Sequence, residues 1–318
     1  MNPRCPAHRK KGKIKMMKKH KLLSTVGIGL IGGLALAGCS SDGGSGGDDE
    51  ASGDLGDITL GYLPSWTDGL SMSYLVKDQL EKIGYTVKME ELSEAGPLFT
   101  ALAGGDVDVF PSAWPEVTHA AYMDQYEGDL EDLGAYYEGA VLTIAVPSYM
   151  DDINSIEDLK GQGDRFDGKI TGIEPGAGLT KQTQESMMPE YGLDGEYELV
   201  TSSTAGMLAS LDTAMASEED IVVTLWRPFW AYNDFDVKDL EDPKGAMGEP
   251  ETLNFVGHAG FAEEYPEAAD LMSQIKLEDD QYGSLEGLVT SDEYENKTED
   301  AVDAWLEENG DQFDWVQE

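Results

Sequence analysis

Two α/β lobes, each a mainly parallel sheet flanked by helices and joined by two crossing strands, are what this sequence predicts. Three observations predict it. First, about 260 residues from Asp57 onward carry regular apolar patterning, large for one core and suited to two lobes. Second, strand-like and helix-like segments alternate in two separate series, the pattern of right-handed βαβ units on a parallel sheet. Third, apolar strand-like segments at 141–147 and 252–256 lie where the chain would pass between lobes and back.

The N-terminus comes first. Nine basic residues and no acidic one occupy positions 1–21, followed by an apolar, Gly-rich run from Leu22 to Ala37. A basic start, a short apolar run and a small-residue cleavage site read as an export signal over 1–38. The run falls short of the roughly 20 residues a spanning helix needs. Leu36-Ala37-Gly38-Cys39 resembles the bacterial lipobox, whose cysteine is lipidated and becomes the first mature residue. The Gly/Ser/Asp stretch after it, to residue 56, reads as a flexible tether. A membrane protein on the outer cell face, held by a lipid on Cys39, is therefore expected.

In the first series, Ile58–Leu63 reads as a buried strand, Leu75–Ile83 as a helix stopped by Gly84, and Tyr85–Met89 as a strand. Leu98–Ala103 reads as a helix ending at Gly104-Gly105, Val107–Phe110 as a strand, and Pro115 as the first turn of a helix. In the second, Ile170–Ile173 is strand, Leu179–Met188 helix, Glu198–Val200 strand, 204–215 helix and Ile221–Leu225 strand. The segment from Pro266 reads as helical, with Trp305 and Trp315 on apolar faces as core or capping residues. The lobes become 57–146 with 252–318, and 147–251.

Charge and cysteine count exclude several functions. Beyond residue 21 there are 12 basic against 63 acidic residues, a net charge of −51. Such a chain offers no basic face to a nucleic acid, so none is expected as partner. Self-repulsion at this charge destabilises a compact state at low ionic strength, and salt screens it. A salty exterior suits it; an ordinary acidic secreted protein is the plainer alternative. With Cys5 in the signal, Cys39 is the one mature cysteine, so neither a disulfide nor a cysteine metal site forms within one chain. A monomer without cofactor is expected. An enzyme is disfavoured: two histidines remain after the signal, and no Gly-x-Ser-x-Gly elbow occurs.

Ligands of open α/β sheets sit beyond the carboxyl ends of the strands. Trp66, Trp114 and Trp226 fall at such ends. One Trp there is more often core, but three point to an aromatic cage. Trp230, four residues on, reads as packing. Pro175-Gly176-Ala177-Gly178, between strand and helix, reads either as a plain turn or as an anion site at a helix N-terminus.

Six segments together are similar to the substrate-binding proteins of glycine betaine/proline betaine ABC importers, over nearly all of 57–318. They are Gly61-Tyr62-Leu63-Pro64-Ser65-Trp66-Thr67-Asp68, Gly105-Asp106-Val107-Asp108, Ser112-Ala113-Trp114-Pro115-Glu116-Val117-Thr118-His119, Thr171-Gly172-Ile173-Glu174-Pro175-Gly176-Ala177-Gly178, Trp226-Arg227-Pro228-Phe229-Trp230 and Leu240-Glu241-Asp242-Pro243-Lys244-Gly245. The resemblance implies a two-lobed periplasmic-binding-protein fold of type II-like form. It implies a trimethylammonium cage of Trp66, Trp114 and Trp226. It also implies carboxylate anchors at His119 and at the backbone N–H groups of Gly178 and Leu179. Permease and ATPase subunits of an importer would be the partners.

The chemistry agrees. A quaternary ammonium has no N–H to donate, so aromatic faces must read it, at about 2 kcal/mol or more when desolvated. A carboxylate suits backbone N–H groups at a helix N-terminus. Choline lacks the carboxylate and would leave those donors unmatched, at about 1–3 kcal/mol for each buried group. Glycine betaine ranks first, then proline betaine, with choline, carnitine and ectoine as alternatives. A sensor lipoprotein on the same lobes is the alternative of another class. The chain departs from its relatives in a Tyr62–Trp66 loop one residue longer, in Phe229 where His is common, and in Leu225 where Gly is common. These departures bear on solute selectivity.

Overall fold

A computed structural model describes residues 55–317. The signal, Cys39 and most of the tether lie outside the described residues. Nine strands form one sheet among the described residues: β1 (Gly56–Tyr62), β2 (Tyr85–Glu91), β3 (Val109–Ala113), β4 (Leu130–Pro147), β5 (Lys169–Thr171), β6 (Glu198–Val200), β7 (Val223–Arg227), β8 (Val237–Asp239) and β9 (Glu251–His258). Their order is β2-β1-β3-β9-β4-β7-β5-β6, with β8 also on β4. The pairs β1–β2, β1–β3, β5–β6 and β5–β7 are parallel. Antiparallel pairing is confined to pairs that include β4 or β9.

The 18-residue β4 carries the architecture. Its first part, Leu130–Ala140, pairs with β9. Its second, Val141–Ala145, pairs with β7. One strand thus belongs to two half-sheets, each with its own helices, and these are the lobes. The β-branched and aliphatic run Val141–Val146 suits a strand covered on both faces. Sequence patterning places only this second part in a strand. The first part is irregular, with bulges at 132–134, 135–137 and 138–140 and positive φ at Gly134 and Gly139, which breaks the alternation.

The first half-sheet packs against α1 (Thr67–Ile83) and α2 (Ala95–Gly104). α1 begins eight residues before the predicted start, because Thr67–Tyr74 is too rich in small and polar residues to show a clear apolar period. Gly84 and Gly105 end the two helices in the left-handed region. Pro115 opens no helix: residues 115–118 form a turn, and α3 starts at Ala120 (Ala120–Gln125). In the second lobe α4 (Gly178–Gln182), a π-helical turn (Thr183–Met187) and α5 (Met188–Tyr191) run on from one another. α6 (Thr204–Ala216) follows, with Ser203 Oγ capping Gly206 N–H, then α7 (Ala231–Asp234). The chain ends on α8 (Phe261–Glu264), α9 (Pro266–Gln274), α10 (Asp279–Val289) and α11 (Thr298–Asn309). Trp305 and Trp315 are buried there.

Candidate solute-binding site

Trp66, Trp114, Trp226, His119, Gly178 and Leu179 all line one cavity. Asp68, Thr118, Leu142, Ile173 and Ala177 complete it. Both lobes contribute. β1 and the start of α1 bring Trp66 and Asp68, and the end of β3 brings Trp114 and His119. β7 brings Trp226, and α4 brings Gly178 and Leu179. Trp226 lies within β7 rather than after it, opposite Leu142 of β4, so the cavity floor is the joint between the half-sheets. Phe229 stacks on Trp226, ring centroids 3.9 Å apart and planes 23° apart. Trp230 packs outside the cavity, against Phe229 and Phe235.

The turn after Trp114 is held by a carboxylate. Glu251, the first residue of β9 and buried, accepts from Val117 N (2.7 Å) and from Thr118 N and Oγ1 (3.0 and 2.5 Å). His119 closes the turn. Its N–H donates to Trp114 O (2.8 Å), and Trp114 N–H donates to His119 Nδ1 (3.0 Å). Since Nδ1 accepts, the proton of the neutral ring sits on Nε2. Burial pushes the His119 pKa down to about 3, so the ring is neutral across the physiological range. Nε2 is buried without a hydrogen-bond partner among the described residues. The site therefore holds a fixed, uncommitted N–H donor. Trp66 stacks beside the imidazole at 5.9 Å, and Phe99 meets it edge-on at 5.1 Å, so the ring is locked in place.

A helix leaves its first N–H groups without intrahelical acceptors. Those of Gly178 and Leu179 open α4 where both residues line the cavity. A Cβ built on Gly178 would lie 1.8 Å from Thr118 O, so only glycine permits this approach of α4 to the His119 turn.

Asp68 is the residue that sequence reasoning missed. It is 4% exposed, with Oδ2 accepting from Ser112 Oγ (3.1 Å) and Oδ1 without a hydrogen-bond partner among the described residues. Burial pushes its carboxyl up to about 6, against the pull of the Ser112 hydroxyl, the Gly69 and Asp68 backbone N–H groups and the Trp114 side chain. Behind it Glu286 is buried as well and accepts from Thr67 Oγ1 (2.6 Å). Burial, then the charge of Asp68, pushes Glu286 up to about 8. No signal could have singled out Asp68 among 63 acidic residues, except that it stands two places after Trp66.

The cavity is thus lined by three tryptophans, the buried carboxyl of Asp68, the His119 ring and the first residues of α4. Residues 56–308 match the family model of the substrate-binding domain of ABC-type glycine betaine transport systems. The chain belongs to that family. Members of this substrate-binding family capture solutes and catalyse nothing. The chain is 36% identical over 129 residues to the glycine betaine/carnitine transport binding protein GbuC of Listeria monocytogenes. That stretch is 37% of this chain and 43% of GbuC, so the match spans less than half of that relative. In structure the chain is similar to lactococcal OpuAC in its closed, glycine betaine-bound form. The TM-score is 0.74 and identity 30%, covering 82% of this chain and 99% of that one. It is also similar to a choline-binding protein of an ABC transporter in complex with choline, with TM-score 0.72 and identity 25%, over 80% and 89% of the two chains. Among the described residues of this family member, no helix is long and apolar enough to cross a membrane.

Proposed function

We propose that this chain captures glycine betaine, or a close betaine, in the interlobe cavity and delivers it to the permease and ATPase of an ABC importer for osmoprotectant uptake. One observation carries the reading: three tryptophans and the His119 ring, whose Nε2 has no partner among the described residues, line one cavity. A solute that satisfies both is a zwitterion with a non-donating cation and a carboxylate. Trp66, Trp114 and Trp226 would enclose the trimethylammonium through their ring faces. His119 Nε2–H and the N–H groups of Gly178 and Leu179 would take the carboxylate. Residues 57–146 with 252–318 would form one lobe and 147–251 the other, closing on the solute by hinge motion.

A second reading has its own observation. Asp68 Oδ1 is a buried acceptor in the cavity wall with no hydrogen-bond partner in this structure among the described residues, and a hydroxyl-bearing cation such as choline would satisfy it. Tryptophan fluorescence of the purified protein, titrated with glycine betaine and in parallel with choline, decides between them. Tighter binding of betaine, lost by about tenfold or more in Trp226→Ala, is the expected result. Tighter choline binding would move the assignment to Asp68, and no response to either would end the reading.

At the N-terminus we propose cleavage after Gly38 and lipid attachment at Cys39, with the tether holding the lobes off the membrane and the protein acting as a monomer. Cys39→Ser should then move the protein from the membrane to the soluble fraction; an unchanged distribution would rule out the anchor.

A further inference from the structure

Glu174 is a carboxylate with a partner in each lobe. It lies three residues past β5 and is 5% exposed, yet no Lys or Arg pairs with it among the described residues. Four donors compensate its charge. Oε1 accepts from Thr204 N (2.9 Å) and Ser65 Oγ (3.2 Å). Oε2 accepts from Thr204 Oγ1 (2.9 Å) and Trp66 Nε1 (3.3 Å). Thr204 begins α6 in the same lobe as Glu174, where a helix N-terminus favours negative charge. Ser65 and Trp66 come from the other lobe. The Glu174 main chain is tied to the site as well: its carbonyl accepts from Ala177 N (3.0 Å) and Thr180 Oγ1 (2.8 Å), at the opening of α4.

We propose that Glu174 is a positioning residue: held on its own lobe by Thr204, its carboxylate takes the Trp66 indole N–H across the cleft, so the Trp66 wall is set in place by lobe closure itself. This rests on the cage reading given above. The two bonds to Thr204 lie within one lobe and survive an opening of the cleft. Those to Ser65 and Trp66 cross it and form on closing. An indole has one N–H, so directing it at Glu174 fixes the ring plane and leaves the face to the cavity. Hydrogen-bonded groups polarise one another, and an indole donating to a carboxylate presents a more electron-rich face to a cation. Glu174 thereby acts on the solute through Trp66, without lining the cavity.

The test is a double-mutant cycle between Glu174→Gln and Trp66→Phe, read by calorimetric affinity for glycine betaine and by stopped-flow dissociation. Glutamine keeps the volume and loses the charge. The expected result is an affinity loss of about tenfold in E174Q, the scale of one charge-assisted hydrogen bond. It should appear mainly as faster dissociation, with less than about twofold further loss when E174Q is added to W66F. If E174Q folds poorly, Glu174→Asp, which keeps the charge but withdraws it by one methylene, takes its place in the cycle with the same expected coupling. Wild-type affinity in E174Q, or an equal loss with and without Trp66, would overturn the proposal while leaving the cage standing. Failure of the wild-type protein to bind either glycine betaine or choline would remove the cage reading and this proposal together.

Discussion

At the scale of single residues, the site is organised by which protons are fixed and which can move. His119 is held neutral by burial, and its one proton is committed to Nε2 by the Trp114 N–H on the other nitrogen. Asp68 is the titrating member, at about 6, with Glu286 behind it at about 8. Both folded-state values lie above the unfolded ones. The stability these carboxyls contribute is complete below about pH 4 and is lost as pH rises through about 6 and then about 8. A cation in the cavity offsets that loss by favouring ionised Asp68. Affinity for glycine betaine should therefore rise by up to about tenfold between pH 5 and pH 7. Asp68→Asn should flatten the profile, as calorimetry at a series of pH values would show. A profile equally steep in the asparagine variant would assign the titration elsewhere.

Among elements, closure depends on how near two turns approach. The α4 N-terminus and the His119 turn meet at Gly178 and Thr118, with no room for a methyl group. Gly178→Ala should leave the ligand-free protein as stable as wild type, since alanine favours a helix over glycine. It should weaken betaine binding by about tenfold to a hundredfold, the cost of overpacking by a methyl group. Equal affinity in the two proteins, measured alongside their Tm, would show that this approach is absent from the bound state. Much of this arrangement is legible in the sequence. Tryptophan is scarce, at 6 of 318 residues, and its placement at strand ends carries spatial information, so Trp66, Trp114 and Trp226 can be picked out. The strand–helix series is legible wherever apolar periodicity is regular. What stays hidden depends on distant pairing. Glu251 holding the Thr118 turn and Glu174 meeting Trp66 join residues more than a hundred positions apart. The long first part of β4 is obscured by its bulges, and the turn at Pro115 by Glu251, which takes the Thr118 N–H that a helix would direct to Trp114 O.

For the whole molecule, charge outweighs every other feature. Beyond residue 21 the chain carries 12 basic and 63 acidic residues. Lys77, Lys82, Lys88, Arg165 and Arg227 form ion pairs with seven carboxylates among the described residues. Lys238, Lys244 and Lys276 donate to backbone carbonyls. The basic residues are thus too few to neutralise the acidic ones. Such repulsion is long-ranged at low salt and collapses when the Debye length falls to about 3 Å at 1 M. Unfolding spreads the same charges apart, so screening favours the folded chain. A relief of about 2 kcal/mol would raise Tm by about 4–8 °C in a protein of this size. Thermal unfolding in sodium chloride from about 20 mM to about 2 M, with sucrose as an uncharged control at matched osmolality, separates screening from solute exclusion, which stabilises proteins whatever their charge. The expected outcome is a rise in Tm with chloride well beyond that with sucrose, most of it gained below about 1 M, where screening saturates. Equal gains in the two solutes would mean that the acidic surface serves solubility alone.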